Sequence, residues 1–187
     1  MTIFSYLLYY LIIIPISLLP FPVLYILSDF LFFMIFYITP YRKKVVYTNL
    51  KNSFPEKSEK EIKEISRKFY RHFCDIIIES LKTFTISEEE MKKRMKYINP
   101  EILIPFYLQK KSLIAITGHY CNWEWVVVSC PLFLKHKALG VYLPLNNKFF
   151  DKKVQQSRML FGMTLMSVRD TKENFEKYKN DTTATGI

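Results

Sequence analysis

Leu113-Ile114-Ala115-Ile116-Thr117-Gly118-His119-Tyr120-Cys121-Asn122-Trp123-Glu124-Trp125-Val126-Val127-Val128 joins one apolar run to a second across a glycine. The first run has the length of a buried strand, and the second opens behind Asn122, a residue type that caps helices, so the stretch reads as strand, turn and helix. The pattern recurs: Ala138 to Leu143 precedes a helix-compatible Lys148 to Leu160, and Met163 to Val168 precedes Thr171 to Lys179. Strands alternating with helices in this way predict an α/β fold with a mainly parallel sheet joined by right-handed crossovers. Ligands of such sheets bind beyond the carboxyl ends of the strands, where Gly118 and His119 fall.

The turn sets an imidazole and a carboxylate five positions apart. The His119 imidazole can take the proton of an attacking hydroxyl, provided its other ring nitrogen is held in one tautomer. Glu124 is the candidate for that hold, the role an acid plays toward histidine in hydrolase triads. Asn122 is the expected N-cap of the helix opening at Trp123, and free amides at that end favour a phosphate or a developing oxyanion. A histidine and a glutamate at this spacing are commonplace by themselves. Their weight comes from the strand, the glycine turn, Asn-Trp-Glu and the character of the N-terminus.

From Ile3 to Thr39 the only acid or base of ordinary pKa is Asp29. A bilayer core takes about 20 apolar residues at about 1.5 Å each, and this run exceeds that. We therefore expect a membrane-anchoring segment over residues 1–40 and a cytoplasmic domain over 41–187. Pro15, Pro20 and Pro22 leave three shapes open: a spanning helix of roughly Tyr6 to Leu24 with an interfacial piece, a kinked single helix, or a re-entrant hairpin. Arg42-Lys43-Lys44, the first basic residues, place the rest of the chain on the cytoplasmic side. No basic n-region precedes the run, which is also too long for a cleaved secretory signal.

Beyond the anchor, Ser58-Glu59-Lys60-Glu61 is a capping box. Ile62, Ile65, Phe69, Phe73, Ile76, Ile77 and Leu81 come after it at helical spacing, predicting an amphipathic helix of about six turns. Ser87-Glu88-Glu89-Glu90 repeats the starting signal for a short helix carrying Lys92, Lys93 and Arg94 with Lys96 behind them. Such a run is ordinarily a solvated face; beside an anchor it also suits anionic head groups.

The 187 residues carry a formal charge of +10, which favours anionic partners. Nucleic acid fits poorly, because the charge is dispersed and the N-terminus belongs in lipid. Four glycines, with neither a GxGxxG nor a GxxxxGK pattern, disfavour phosphate loops. The three cysteines, Cys74, Cys121 and Cys130, lack metal-finger spacing and suggest a reduced compartment, with Cys121 a small side chain rather than a nucleophile. His72 and His136 sit in no metal-ligand spacing and read as surface or satisfied interior histidines, while Trp123 and Trp125 read as packing residues.

Gly118-His119-Tyr120-Cys121-Asn122-Trp123-Glu124 resembles the HX4E block of the lysophospholipid acyltransferase superfamily, specifically the bacterial lipid A biosynthesis (Kdo-dependent lauroyl/myristoyl) acyltransferases. Asn49-Leu50-Lys51-Asn52-Ser53-Phe54-Pro55, Phe69-Tyr70-Arg71-His72 leading to Glu79, and Asn99-Pro100-Glu101 are similar to that family's N-terminal half, in the same order. Val141 to Asn147 resembles its second block, and Gln156-Ser157-Arg158 with Gly162 the helix and turn after it. The resemblance implies a fold of the glycerolipid acyltransferase type. It further implies transfer of a fatty acyl group from acyl carrier protein to a hydroxyl of a lipid A precursor, at the cytoplasmic face of the bacterial inner membrane. His119 would be the base, Glu124 its partner and Arg158 the group that binds phosphate or steadies the transferring carbonyl. Asn122, Tyr142 and Asn147 would line the substrate site, with no cofactor and no metal.

Two departures accompany the likeness. Tyr142-Leu143-Pro144 stands where the family has Tyr-Arg-Pro, which removes a guanidinium. The chain also stops at Asp181 to Ile187, as a further strand begins and before the family's Asp-Gln pair, so a sheet incomplete at its C-terminal side is expected. Three classes stay in view: a membrane-bound acyltransferase, an inactive truncated remnant or membrane-associated binding protein, and, least favoured, a nucleic-acid binder.

Overall fold

The computed structural model describes residues 2–170, 172, 173, 176, 178, 185 and 186. Two compact units emerge: Leu18–Lys82 forms one, and the residues up to Ser17 with those from Thr83 onward form the other.

The first apolar helix runs from α1 (Thr2–Leu8) through a π-helical stretch, Tyr9–Ile13, into α2 (Ile14–Leu18). The π turn sits just ahead of Pro15, which brings no N–H and whose ring would clash with the carbonyl four residues back. The Ile14 amide donates instead to the Tyr9 carbonyl, five residues back. Pro20, extended at φ −67° and ψ 151°, caps the next helix, so of the three shapes left open the continuous helix from Tyr6 to Leu24 is not formed, the break falling at Leu19 and Pro20. Beyond it α3 (Phe21–Phe33) continues through a second π-helical stretch, Met34–Ile38. Among the described residues, Phe21–Ile38 is the one helix long and apolar enough to cross a membrane.

In the Leu18–Lys82 unit, α3 packs on α5 (Glu59–Lys82), and α4 (Lys43–Ser53) lies between them in sequence. The capping box forms as expected: the Ser58 amide donates to Glu61 Oε2 at 2.9 Å, and the Glu61 amide to Ser58 Oγ at 3.4 Å. The buried stripe of α5 is Ile62, Ser66, Tyr70, Cys74 and Ile78. This differs from the stripe expected from the sequence, because Phe69 is 44 % exposed and stacks on Phe73 at 5.9 Å. Bulky Phe21, Leu24 and Phe32 come from α3, so the facing positions of α5 include small residues and its aromatic pair turns away.

Three polar contacts stitch these helices in antiparallel register. Tyr25 donates to Glu79 Oε1 at 2.8 Å, Ser28 to Asp75 Oδ1 at 2.6 Å, and Arg71 to Asp29 Oδ1 at 2.8 Å. Asp29, the lone charge of the apolar run, thus has an exposed cationic partner.

The other unit holds α6 (Glu88–Arg94), α7 (Ile104–Leu108), α8 (Trp123–Phe133), β1 (Lys137–Tyr142), α9 (Lys148–Arg158), β2 (Thr164–Ser167) and β3 (Thr185–Gly186). Ser87 caps α6 by accepting from the Glu90 amide at 3.2 Å. Lys92 pairs with Glu88, and Lys93 and Arg94 with Glu90, so the basic run is a solvated, internally compensated face. The sheet order is β2-β1-β3 with both pairings parallel, as the alternation predicts. Trp125 and Val128 of α8 are buried, as are Ala138 and Leu139 of β1 and Met166 of β2.

The strand expected over Ser112 to Thr117 does not form: one bridge residue, Leu113, remains, and Ile114 and Ile116 are 78 % and 95 % exposed. Of the helix expected over Thr171 to Lys179, residues 172, 173, 176 and 178 are helical and the others lie outside the described residues.

Candidate active site

Gly118 to Asn122 forms the turn into α8. The Tyr120 amide donates to the Gly118 carbonyl at 2.9 Å, and Cys121 adopts a left-handed φ of 49° that a Cβ makes uncommon. That turn delivers Asn122 to the helix start, where its Oδ1 accepts from the Trp125 amide at 3.4 Å, the cap the sequence leads one to expect.

The His119 ring is exposed and lies 4.5 Å, centroid to centroid, from the ring of Trp123. It makes no hydrogen bond among the described residues. Glu124 faces another way from the expected histidine contact: Arg158, near the end of α9, donates Nε to its Oε2 at 2.9 Å and Nη2 to its Oε1. This bidentate pair is three-quarters or more buried. The Arg158 guanidinium also lies 5.8 Å from the Trp123 ring, so the indole neighbours both the imidazole and the ion pair. The structure brings together three of the four residues of one cluster, Trp123, Glu124 and Arg158, with His119 joined through the indole.

Tyr142 is half-buried at the last position of β1, opposite Ser167. Asn147 caps α9: its Oδ1 accepts from the Phe149 and Phe150 amides at 3.1 and 3.2 Å, and its Nδ2 donates to Ser5 at 2.9 Å. Both ends of that amide make contacts within the fold, and Nδ2 keeps a second N–H.

The sequence model of the bacterial lipid A biosynthesis acyltransferases matches residues 1–185. The chain belongs to that family. No individually curated protein matches it. A mostly helical chain with a small parallel sheet is consistent with an α/β acyltransferase, and this lipid A acyltransferase family member carries its Glu124–Arg158 pair at the start of the helix after the HX4E turn.

Sequence reasoning missed the supports of this lipid A acyltransferase family member. Trp125, 4 % exposed, donates Nε1 to Thr83 Oγ1 at 3.0 Å, fixing α8 to a residue more than 40 positions earlier. Tyr9 meets Phe84 and Phe149 edge to ring at 5.5 Å each. No local pattern announces such contacts; only an unusual wealth of aromatic residues hints at them. Burial pushes the Cys74 thiol up to about 11 and also raises Cys130, whereas Cys121, expected as a small half-buried side chain, is exposed. His136 is buried, with Nε2 3.2 Å from the Lys111 carbonyl and Nδ1 without a partner among the described residues. Among those residues no group of acids, histidines and cysteines has the form of a metal site.

Proposed function

We propose that the chain transfers a fatty acyl group from acyl carrier protein to a hydroxyl of a lipid A precursor, with His119 as general base. The observation that carries this reading is the Glu124–Arg158 pair beside the His119–Trp123 contact. A carboxylate has about four lone-pair positions, so Glu124 can hold Arg158 and still accept an N–H from His119 after the exposed ring rotates. The acceptor hydroxyl oxygen attacks the thioester carbonyl while His119 takes its proton, and the departing thiolate recovers that proton as the tetrahedral intermediate collapses. Arg158 Nη1 has no partner among the described residues, which leaves two N–H donors for a phosphate or for the oxygen that gains charge. Asn122, Tyr142 and Asn147 are assigned to the acceptor, and the acidic carrier is matched to the net charge of +10.

Membrane attachment at the cytoplasmic face of the bacterial inner membrane completes the proposal. Val23, Ile26, Phe30, Phe33 and Tyr37 form an exposed apolar stripe at helical spacing on the α3 segment. Its opposite side rests on α5, whose Lys60, Lys63, Arg67 and Arg71 would be costly in hydrocarbon. Entry from one leaflet satisfies both helices.

The exposed, unpartnered His119 and the missing ladder at Ser112 to Thr117 favour the second reading, a membrane-associated binding protein without turnover. Incubating the chain in mixed micelles with acyl-acyl carrier protein and a lipid A precursor separates the two. A product heavier by one acyl chain supports the enzyme, and its absence alongside retained precursor binding supports the second reading.

A further inference from the structure

An open-sided pocket of about 540 Å³ in the Leu18–Lys82 unit is lined by Phe36, Lys43, Lys44, Tyr47, Lys63 and Ser66. Its lining has three ammonium groups and no carboxylate. Elsewhere on these helices lysines find acids, as in Lys51–Glu59, Lys57–Glu61 and Lys68–Glu64. Lys44 and Lys63 have no such partner among the described residues. Lys43 lies 4.4 Å over the Phe36 ring, and its Nζ is 3.4 Å from the Phe36 carbonyl. Ser66, only 5 % exposed, lines the pocket as well.

We propose that this pocket binds the phosphate of an anionic glycerophospholipid. Lysines act as point charges toward phosphate, and the Ser66 hydroxyl supplies a directed donor. The volume falls within the range of small-ligand sites. The exposed stripe from Val23 to Tyr37 ends next in sequence to Phe36, giving acyl chains an apolar track that a free phosphate would not use. The site is separate from acyl transfer and holds whether or not the chain turns over substrate.

The test is flotation of the full chain with phosphatidylcholine vesicles made with or without phosphatidylglycerol, at fixed ionic strength. These vesicles contain no glycolipid, so they report phospholipid binding alone. Lys44→Gln with Lys63→Gln should weaken affinity for the anionic vesicles by about 25-fold, roughly fivefold for each surface lysine lost. Neutral vesicles should bind as before. Ser66→Leu, which fills the pocket and keeps every charge, should lower the anionic preference as well. Lys148→Gln with Lys152→Gln removes equal charge from α9 and should change little. Equal losses in the α9 control would show diffuse attraction and overturn the site, as would parental binding by the Lys44/Lys63 variant. Displacement by inorganic phosphate as effective as that by phosphatidylglycerol would overturn the lipid assignment.

Discussion

Glu124 is gripped by Arg158 through Nε and Nη2, across 34 positions of sequence, and this pair ties the start of α8 to the end of α9. A planar fork meeting a carboxylate needs both groups in register, which a lysine ammonium cannot reproduce. Glu124→Gln and Arg158→Gln should therefore each lower stability, and the double variant should lose less than the sum. The expected coupling is about 1–2 kcal/mol for a largely buried pair, read from urea unfolding of the four proteins in detergent. Arg158→Lys should recover less than half of it.

Trp125 and Thr83 give a second, purely structural expectation. Thr83→Val keeps the shape and leaves the buried indole N–H without its acceptor, at a cost of about 1–3 kcal/mol. Adding Trp125→Phe removes the orphaned donor, so the double variant should not be less stable than Thr83→Val by more than the lost packing. Thermal unfolding of the set checks this.

Cys74 makes stability depend on alkaline pH. Burial, with Asp75 nearby, raises its thiol from 9.0 to about 11, so the folded chain holds a proton that the unfolded chain releases. The corresponding stability is complete below pH 9 and is lost as pH rises toward 11. Cys74→Ala should flatten that decline in unfolding midpoints. Tyr97, pushed up to about 12 by burial, should leave a further decline from pH 10 upward in both proteins.

Much of this was legible from local signals. Ser58 and Glu61, Ser87, Asn122 and the β1–α9 pair are short-range patterns, and each lies where its residues say. What local reading missed was decided by partners far off in sequence. The α5 stripe shifted to Ser66 and Cys74 because α3 brought larger side chains, and Ser112 to Thr117, apolar enough for a strand, keeps one bridge residue, Leu113. Glu124 carries no sequence mark that distinguishes Arg158 from His119 as its partner; five positions on one turn and 34 across two helices look alike until the chain is folded. Asn147, similarly, serves as a cap that short-range sequence could have announced.

The central claim is that the His119 imidazole activates an acceptor hydroxyl toward a thioester. The direct measurement is the rate of acyl transfer from acyl carrier protein to a lipid A precursor by the parent chain and by His119→Ala, on membranes, with membrane-bound protein quantified in both. The account predicts transfer by the parent and a loss of at least about 100-fold in His119→Ala, with membrane association unchanged. Transfer by His119→Ala at the parental rate, or no transfer by either protein, would contradict it.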